Sequence, residues 1–129
     1  MRLLLDTHAL IWALTLDPRL GPRARAAIEA EAEAVHVSMA SIWEIAIKAR
    51  IGKLDADPGE VAGAIEASGF LMLPIRVAHL VALHRLPAQE GHRDPFDQLL
   101  VAQAQEEKLT LVSADARLAR YGVTVMPCG

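Results

Sequence analysis

Five acidic residues stand where the surrounding pattern is apolar or where a helix should begin. They are Asp6 in LLLDTHAL, Glu44 in SIWEIAIK, Asp94 and Asp97 in HRDPFDQLL, and Asp115 in LVSADARL. A lone buried carboxylate is costly, so each needs a partner, a capping role or a cation. Carboxylates gathered in one place repel one another until some are protonated or a divalent ion neutralises them. All-oxygen ligation, without thiolates and without a clear histidine set, selects a hard ion such as Mg²⁺ or Mn²⁺. Such an ion suits phosphate chemistry, because it lowers the pKa of a bound water and offsets developing charge on phosphoryl oxygens.

Each acid also has a plainer reading. Asp6 and Asp115 suit helix N-caps as well as they suit ligands, and the two roles are compatible. Asp94 precedes Pro95, the pattern of an N-cap followed by proline at the first helical position, so capping outweighs ligation there. Asp97 then falls in the first turn, where an acid favours the helix dipole. Leu100, Val101 and Ala104 follow it at i+3, i+4 and i+7, which continues an inward face. Glu44 shares a helical stripe with Ala40, Ile47 and Ile51, so it either pairs with a base or faces a cation. The histidines His8, His36, His79, His84 and His92 show no metal-type spacing, and no nucleophile elbow, P-loop or dinucleotide glycine fingerprint occurs. Trp12 and Trp43 read as core residues. The basic groups Arg23/Arg25, Lys48/Arg50/Lys53, Arg85/Arg93 and Arg117/Arg120 read as solvated surface, able to hold phosphates if an acidic metal pocket lies beside them.

The elements that must position these acids alternate. Patterning predicts strands at 2–5, 35–37, 71–73, 109–112 and, as a possible fifth, 123–126. Helices are expected at 7–16, 22–33, 39–51, 60–67, 77–85, 95–107 and 115–120. Strands alternating with helices imply an α/β fold with a mostly parallel sheet. Such sheets place their sites at the carboxyl ends of the strands. Asp6 follows the first strand and Asp115 the fourth, while Glu44 and Asp97 lie early in helices that start from that same edge. Topology alone can therefore gather four carboxylates that are distant in sequence.

Composition narrows the class. The chain has 129 residues, 53% of them hydrophobic, with a formal charge of −3, which suits one domain spanning 1–129 and argues against disorder. A nucleic-acid partner would need local basic groups or bound cations to offset that charge. One cysteine, Cys128, allows no intramolecular disulfide and fits a reducing cytoplasm. Asp6 and His8 interrupt the apolar start, and no run of about 20 apolar residues follows, so neither a signal peptide nor a membrane span is expected.

LLLDTHALIW, SMASIWEIAIKARIGKL, HRDPFDQLLVAQA and LVSADARL resemble, in order and spacing, the PIN-domain ribonuclease toxins of VapBC toxin–antitoxin systems. The resemblance covers essentially the whole chain. It implies a PIN fold, a three-layer α/β/α arrangement around a central, mostly parallel sheet of four to five strands. It implies an endoribonuclease that uses Mg²⁺ or Mn²⁺ to cut RNA, commonly a structured RNA such as tRNA. It implies a homodimer held inactive by a cognate VapB-type antitoxin. Asp6, Glu44, Asp97 and Asp115 match the four acidic catalytic and metal-binding positions, and Asp94 matches the extra aspartate of the DPFD variant. Thr7 and Ser113 match the accompanying hydroxyls. Gln98 stands where the resemblance leads one to expect arginine. Asp6 and Asp97 are the expected direct metal contacts, with Glu44 completing the site and Asp115 binding a second cation or orienting water. Three other readings stay open: a phospho-signalling receiver, which the Leu73-Pro74 strand end disfavours, a non-catalytic binding module with the acids as caps, which carboxylates at all four positions disfavour, and a PIN nuclease of RNA maturation.

Overall fold

A computed structural model describes residues 1–129. Strand β1 (Arg2–Leu5) explains the architecture. Leu3, Leu4 and Leu5 are all completely buried, so both faces of this strand are covered. Successive strand side chains point to opposite faces. Leu3 and Leu5 join one apolar cluster with Leu10, Val37, Ile45 and Ile65, while Leu4 joins another with Leu100, Leu111 and Leu118. A central sheet between two helical layers is the consequence.

Helix α1 (Thr7–Thr15) follows β1 directly, and α2 (Pro22–Ala26) leads into a wider π-type turn over Ala27–Glu31. Strand β2 (Ala34–Ser38), α3 (Met39–Arg50), α4 (Pro58–Ala67), β3 (Leu71–Leu73), α5 (Val77–His84) and α6 (Pro95–Glu107) come next. Strand β4 (Thr110–Ser113), a 3₁₀ turn over Ala116–Tyr121 and β5 (Val125–Pro127) complete the chain. The five strands are all parallel in the order β3-β2-β1-β4-β5. No helix is long and apolar enough to cross a membrane.

The expected elements are present, with shifts that have local causes. The helix predicted over 22–33 ends in the wide turn because Ala32 is extended and its N–H reaches back to the Ala27 carbonyl, releasing the chain into β2. Leu109, expected in β4, instead closes α6 by donating to the Ala104 carbonyl at 2.8 Å. Gly122 takes φ +87, a left-handed turn that glycine adopts freely, and this moves β5 two residues later than expected. Two readings are corrected. Trp43 is not a core residue: it is 54% exposed and meets Phe96 edge-on, because its helix position faces away from the sheet. Ile47 and Ile51 are likewise exposed, so the inward face of α3 runs instead through Ala40, Ser41, Glu44 and Ile45.

A buried polar bridge fixes α3 against α6. The Ser38 hydroxyl caps α3 by accepting from the Ala40 N–H and donates to Gln103 Oε1 on α6. The Gln103 amide also donates to the Pro74 carbonyl after β3. Gln103→Leu should lower stability by about 1–3 kcal/mol, since it leaves buried polar groups unpaired. Urea unfolding checks this, and an unchanged midpoint would show that the bridge contributes nothing.

Candidate active site

The connection from β1 runs to β2 on one side, and that from β4 runs to β5 on the other, yet β1 and β4 are neighbours. The sheet's direction of winding reverses between them. A crevice opens at the carboxyl ends of strands at such a point. Asp6 and Asp115 lie just past those two strand ends, and a cleft of about 240 Å³ is found there, lined by Asp6, Glu44, Asp94, Asp97 and Asp115. Four larger cavities lie elsewhere on the molecule, but none collects acids in this way.

Asp6 is 5% exposed, and its Oδ1 caps α1 by accepting from the Ala9 N–H at 2.8 Å. Burial raises its pKa above the usual 3.8, partly offset by hydrogen bonds from Ser113 and Ala9. Cap and pocket roles therefore coincide in one carboxylate. Glu44 is also buried, and both its oxygens are engaged. Thr7 Oγ1 donates to Oε1 at 2.6 Å, and the Lys48 ammonium sits 2.5 Å from Oε2, one helical turn away. The base that could pair with Glu44 is thus Lys48, whose own pKa is raised by this carboxylate. Lys48 is the one lysine or arginine lining the cleft.

Asp94 caps α6, accepting at Oδ1 from the N–H groups of Phe96 and Asp97. It also faces the cleft, so the capping role is realised without withdrawing its charge from the site. Asp97 makes no side-chain ion pair within hydrogen-bonding distance. Its pKa is pushed up to about 6, first by desolvation and then by the charges of Asp94, Asp6 and Glu44. Asp115 differs: Arg117 grips both its oxygens, at 3.0 and 2.9 Å, and holds its pKa below the usual value. The backbone of Asp115 is tied to the Ser113 hydroxyl at 3.0 Å.

One functional candidate escapes sequence reasoning. His92 is 6% exposed, and its Nε2 lies 3.5 Å from Asp97 Oδ2 and 3.8 Å from Asp115 Oδ2. That nitrogen has no hydrogen-bond partner. His92 precedes Asp97 by five residues in an irregular loop, so neither helical nor strand spacing could have linked the two.

The donor set fits a divalent cation. Five carboxylates face one ammonium across a small cleft, and the pKa of Asp97 is raised first by burial and then by its acidic neighbours. Nucleophilic thiol chemistry has no support, because Cys128 is buried and burial pushes its thiol up to about 12.

The PIN domain family model matches residues 3–123. This chain belongs to the PIN domain family. Comparison with curated proteins gives no match. Solved structures of similar fold include VapBC2 from Rickettsia felis bound to a DNA fragment from its promoter, at TM-score 0.74 and 15% identity, with each chain covered over 100% of its length. DNA-bound VapBC from Salmonella typhimurium matches at TM-score 0.72 and 18% identity, covering 100% of this chain and 99% of that one. FitAcB from Neisseria gonorrhoeae matches at 0.66 and 19%, covering 96% of each. The PIN assignment agrees with the strand order, and that order separates the chain from phospho-signalling receivers, whose sheets run 2-1-3-4-5.

Proposed function

We propose that this PIN domain is a VapC-type toxin: an Mg²⁺- or Mn²⁺-dependent endoribonuclease, acting in the cytoplasm on a structured RNA such as tRNA. The observation that carries the reading is the convergence of Asp6, Glu44, Asp94, Asp97 and Asp115 on one cleft with too little positive charge to balance them. Asp6 and Asp97 are the direct ligands in this reading. Glu44, already held by Thr7 and Lys48, completes the site directly or through water. Asp115, fixed by Arg117, holds a second cation or orients the attacking water.

When bound, a divalent cation supplies Lewis acidity at the phosphate and acidifies water for attack. The chain's own groups set the geometry. Thr7 and Lys48 stop Glu44 from rotating out of the cleft. Asp94 ties down the first turn of α6 so that Asp97 projects from a fixed base. Lys48 and Arg117 flank the acids and can contact phosphates of the RNA. In the reaction the water oxygen bonds to phosphorus as the P–O3′ bond breaks. The products carry a 5′-phosphate and a 3′-hydroxyl.

Protein partners fit the same reading. Met39, Trp43, Ile47 and Ile51 recur every four residues along α3 and stay exposed. Leu71, Met72, Val77, Leu80 and Val81 add further exposed apolar surface. Surface of this kind marks interaction sites. It supports a homodimer and a VapB-type antitoxin, in keeping with the toxin–antitoxin complexes among the structural neighbours.

The test is cleavage of a tRNA pool by the purified chain. Cutting with Mg²⁺ or Mn²⁺, its loss in EDTA and its return on adding metal are expected, with 5′-phosphate ends on the products. Undiminished cutting in EDTA would remove the metal-nuclease reading. Copurification of a small protein that silences cleavage separates a toxin from a PIN nuclease of RNA maturation.

A further inference from the structure

The acidic cleft has a corner that is not all oxygen. His92 Nε2 is buried, unpartnered and directed between Asp97 Oδ2 and Asp115 Oδ2, at 3.5 and 3.8 Å. These three ligand atoms all lie within 4.8 Å of one another. Both separations exceed the usual N–H···O range of about 2.7–3.2 Å, so Nε2 is not hydrogen-bonded to either acid. Neighbouring ligands around a single ion stand about 3 Å apart for octahedral bonds of about 2.1 Å, so both separations are somewhat wider than a shared ion requires. A closure of less than about 1 Å would bring all three onto one cation.

The rest of the imidazole is oriented for that task. Nδ1 lies 3.0 Å from the Tyr121 hydroxyl, and the two rings meet edge-on at 5.6 Å. With Nδ1–H donating to the Tyr121 oxygen, Nε2 keeps a free lone pair beside Asp97 and Asp115, two of the acids that line the cleft. Metal-binding histidines commonly have their second nitrogen fixed by such a partner. Asp115 Oδ1 accepts from both the Arg117 N–H and Nε, whereas Oδ2, the oxygen nearest His92, accepts only from Nη2 and keeps a second lone pair. The loop places the ring as well: the His92 N–H donates to the Gln89 carbonyl, and Gln98 on α6 donates to the His92 carbonyl.

We propose that His92 is a metal ligand, binding through Nε2 a divalent transition ion shared with Asp97 and Asp115. This rests on the metal-pocket reading and changes its chemistry. A mixed nitrogen–oxygen corner favours Mn²⁺ over Mg²⁺, because imidazole suits transition ions and Mg²⁺ prefers oxygen. The competing role for His92 is a protonated counter-ion lying between the two acids, with no bond to metal.

Pulsed EPR on the full chain loaded with Mn²⁺ distinguishes these roles without any activity measurement. The wild type should show ¹⁴N modulation from a directly bound imidazole. His92→Asn keeps a polar group near the Nδ1 position and removes Nε2. It should lose the modulation and weaken Mn²⁺ binding at least about tenfold, with a smaller change for Mg²⁺. His8 lines the cleft, so His8→Asn is the control and should keep the signal. Bound Mn²⁺ without ¹⁴N modulation in the wild type would overturn the proposal and leave the acidic pocket standing. Modulation that survives in His92→Asn would overturn it too. A wild type that binds no Mn²⁺ at all would remove the pocket reading together with this one. The wild-type spectrum decides the matter even if His92→Asn folds poorly.

Discussion

Asp97→Asn should cost at least about 10²–10³-fold in RNA cleavage and yet make the metal-free protein more stable at neutral pH. The stability gain follows from proton linkage. The carboxyl of Asp97 moves from the usual 3.8 in the unfolded chain to about 6 in the fold, chiefly by desolvation. Between those values the native state binds a proton more tightly than the unfolded state, so stability falls as pH rises through the window. Below about pH 4 the penalty is absent, and above about pH 6 it is complete. A shift of this size corresponds to at most about 3 kcal/mol. Solvent at the partly exposed carboxylate reduces it, and the lost acid–dipole contact at the start of α6 reduces it further. A net gain of about 1 kcal/mol at pH 7.5 is the expected outcome. Thermal unfolding in EDTA checks it: the melting temperature of Asp97→Asn should exceed the wild type by a few degrees at pH 7.5 and lose that advantage near pH 4. Saturating Mn²⁺ should reverse the order, because only the wild type gains full binding energy. A variant less stable than wild type at every pH would show that Asp97 serves the fold rather than the site.

Asp6 permits the complementary separation. Its carboxylate caps α1 and also faces the cleft, so a loss of activity on its removal could reflect either role. Asparagine caps about as well as aspartate, and alanine does not. Asp6→Asn should therefore retain the melting temperature within a degree or two, while cleavage drops at least about 10²-fold. Asp6→Ala should lose the same activity and in addition about 1 kcal/mol of stability. Equal activity of Asp6→Asn and wild type would mean that the charge at position 6 is dispensable and that capping is its whole function. The raised pKa of Asp6 points the other way: burial disfavours its charge, so a neutral amide is no burden to the fold.

Much of this arrangement is legible in the sequence. The unbroken Leu3-Leu4-Leu5 run is consistent with a central parallel strand, and the fold covers that strand on both faces. Asp6, Asp94 and Asp115 announce themselves at strand or helix boundaries, and Asp97 begins a face continued by Leu100, Val101 and Ala104, all of them buried. Glu44 is visible as an acid in an apolar helix, and Lys48 stands at i+4, the spacing of a helical Glu–Lys pair. What the spacing does not give is that this pair lies in the cleft. The stripe through Ile47 and Ile51 misleads. These isoleucines look like core at helical spacing, and the sheet meets α3 on the neighbouring face. His92 was out of reach altogether. It reaches the site through an irregular loop that has no period, and its contacts are to residues brought in by two other elements.

The extra acid, Asp94, combines a cap with an electrostatic effect on its neighbour. Its sequence context favours a cap, and the cap is made, with Phe96 and Asp97 both donating to Oδ1. The same carboxylate is a leading source of the electrostatic strain on Asp97. A capping residue thus tunes the acid it supports, whether or not it touches a cation.

The most direct test of the acidic cleft is anomalous diffraction from crystals of this PIN domain soaked in Mn²⁺. A peak is predicted among Asp6, Asp97 and their neighbours, with carboxylate oxygens about 2.0–2.5 Å away. A map with no peak in the cleft at saturating Mn²⁺, or with its only peak on another face, would contradict the claim that these distant acids converge to hold a catalytic ion.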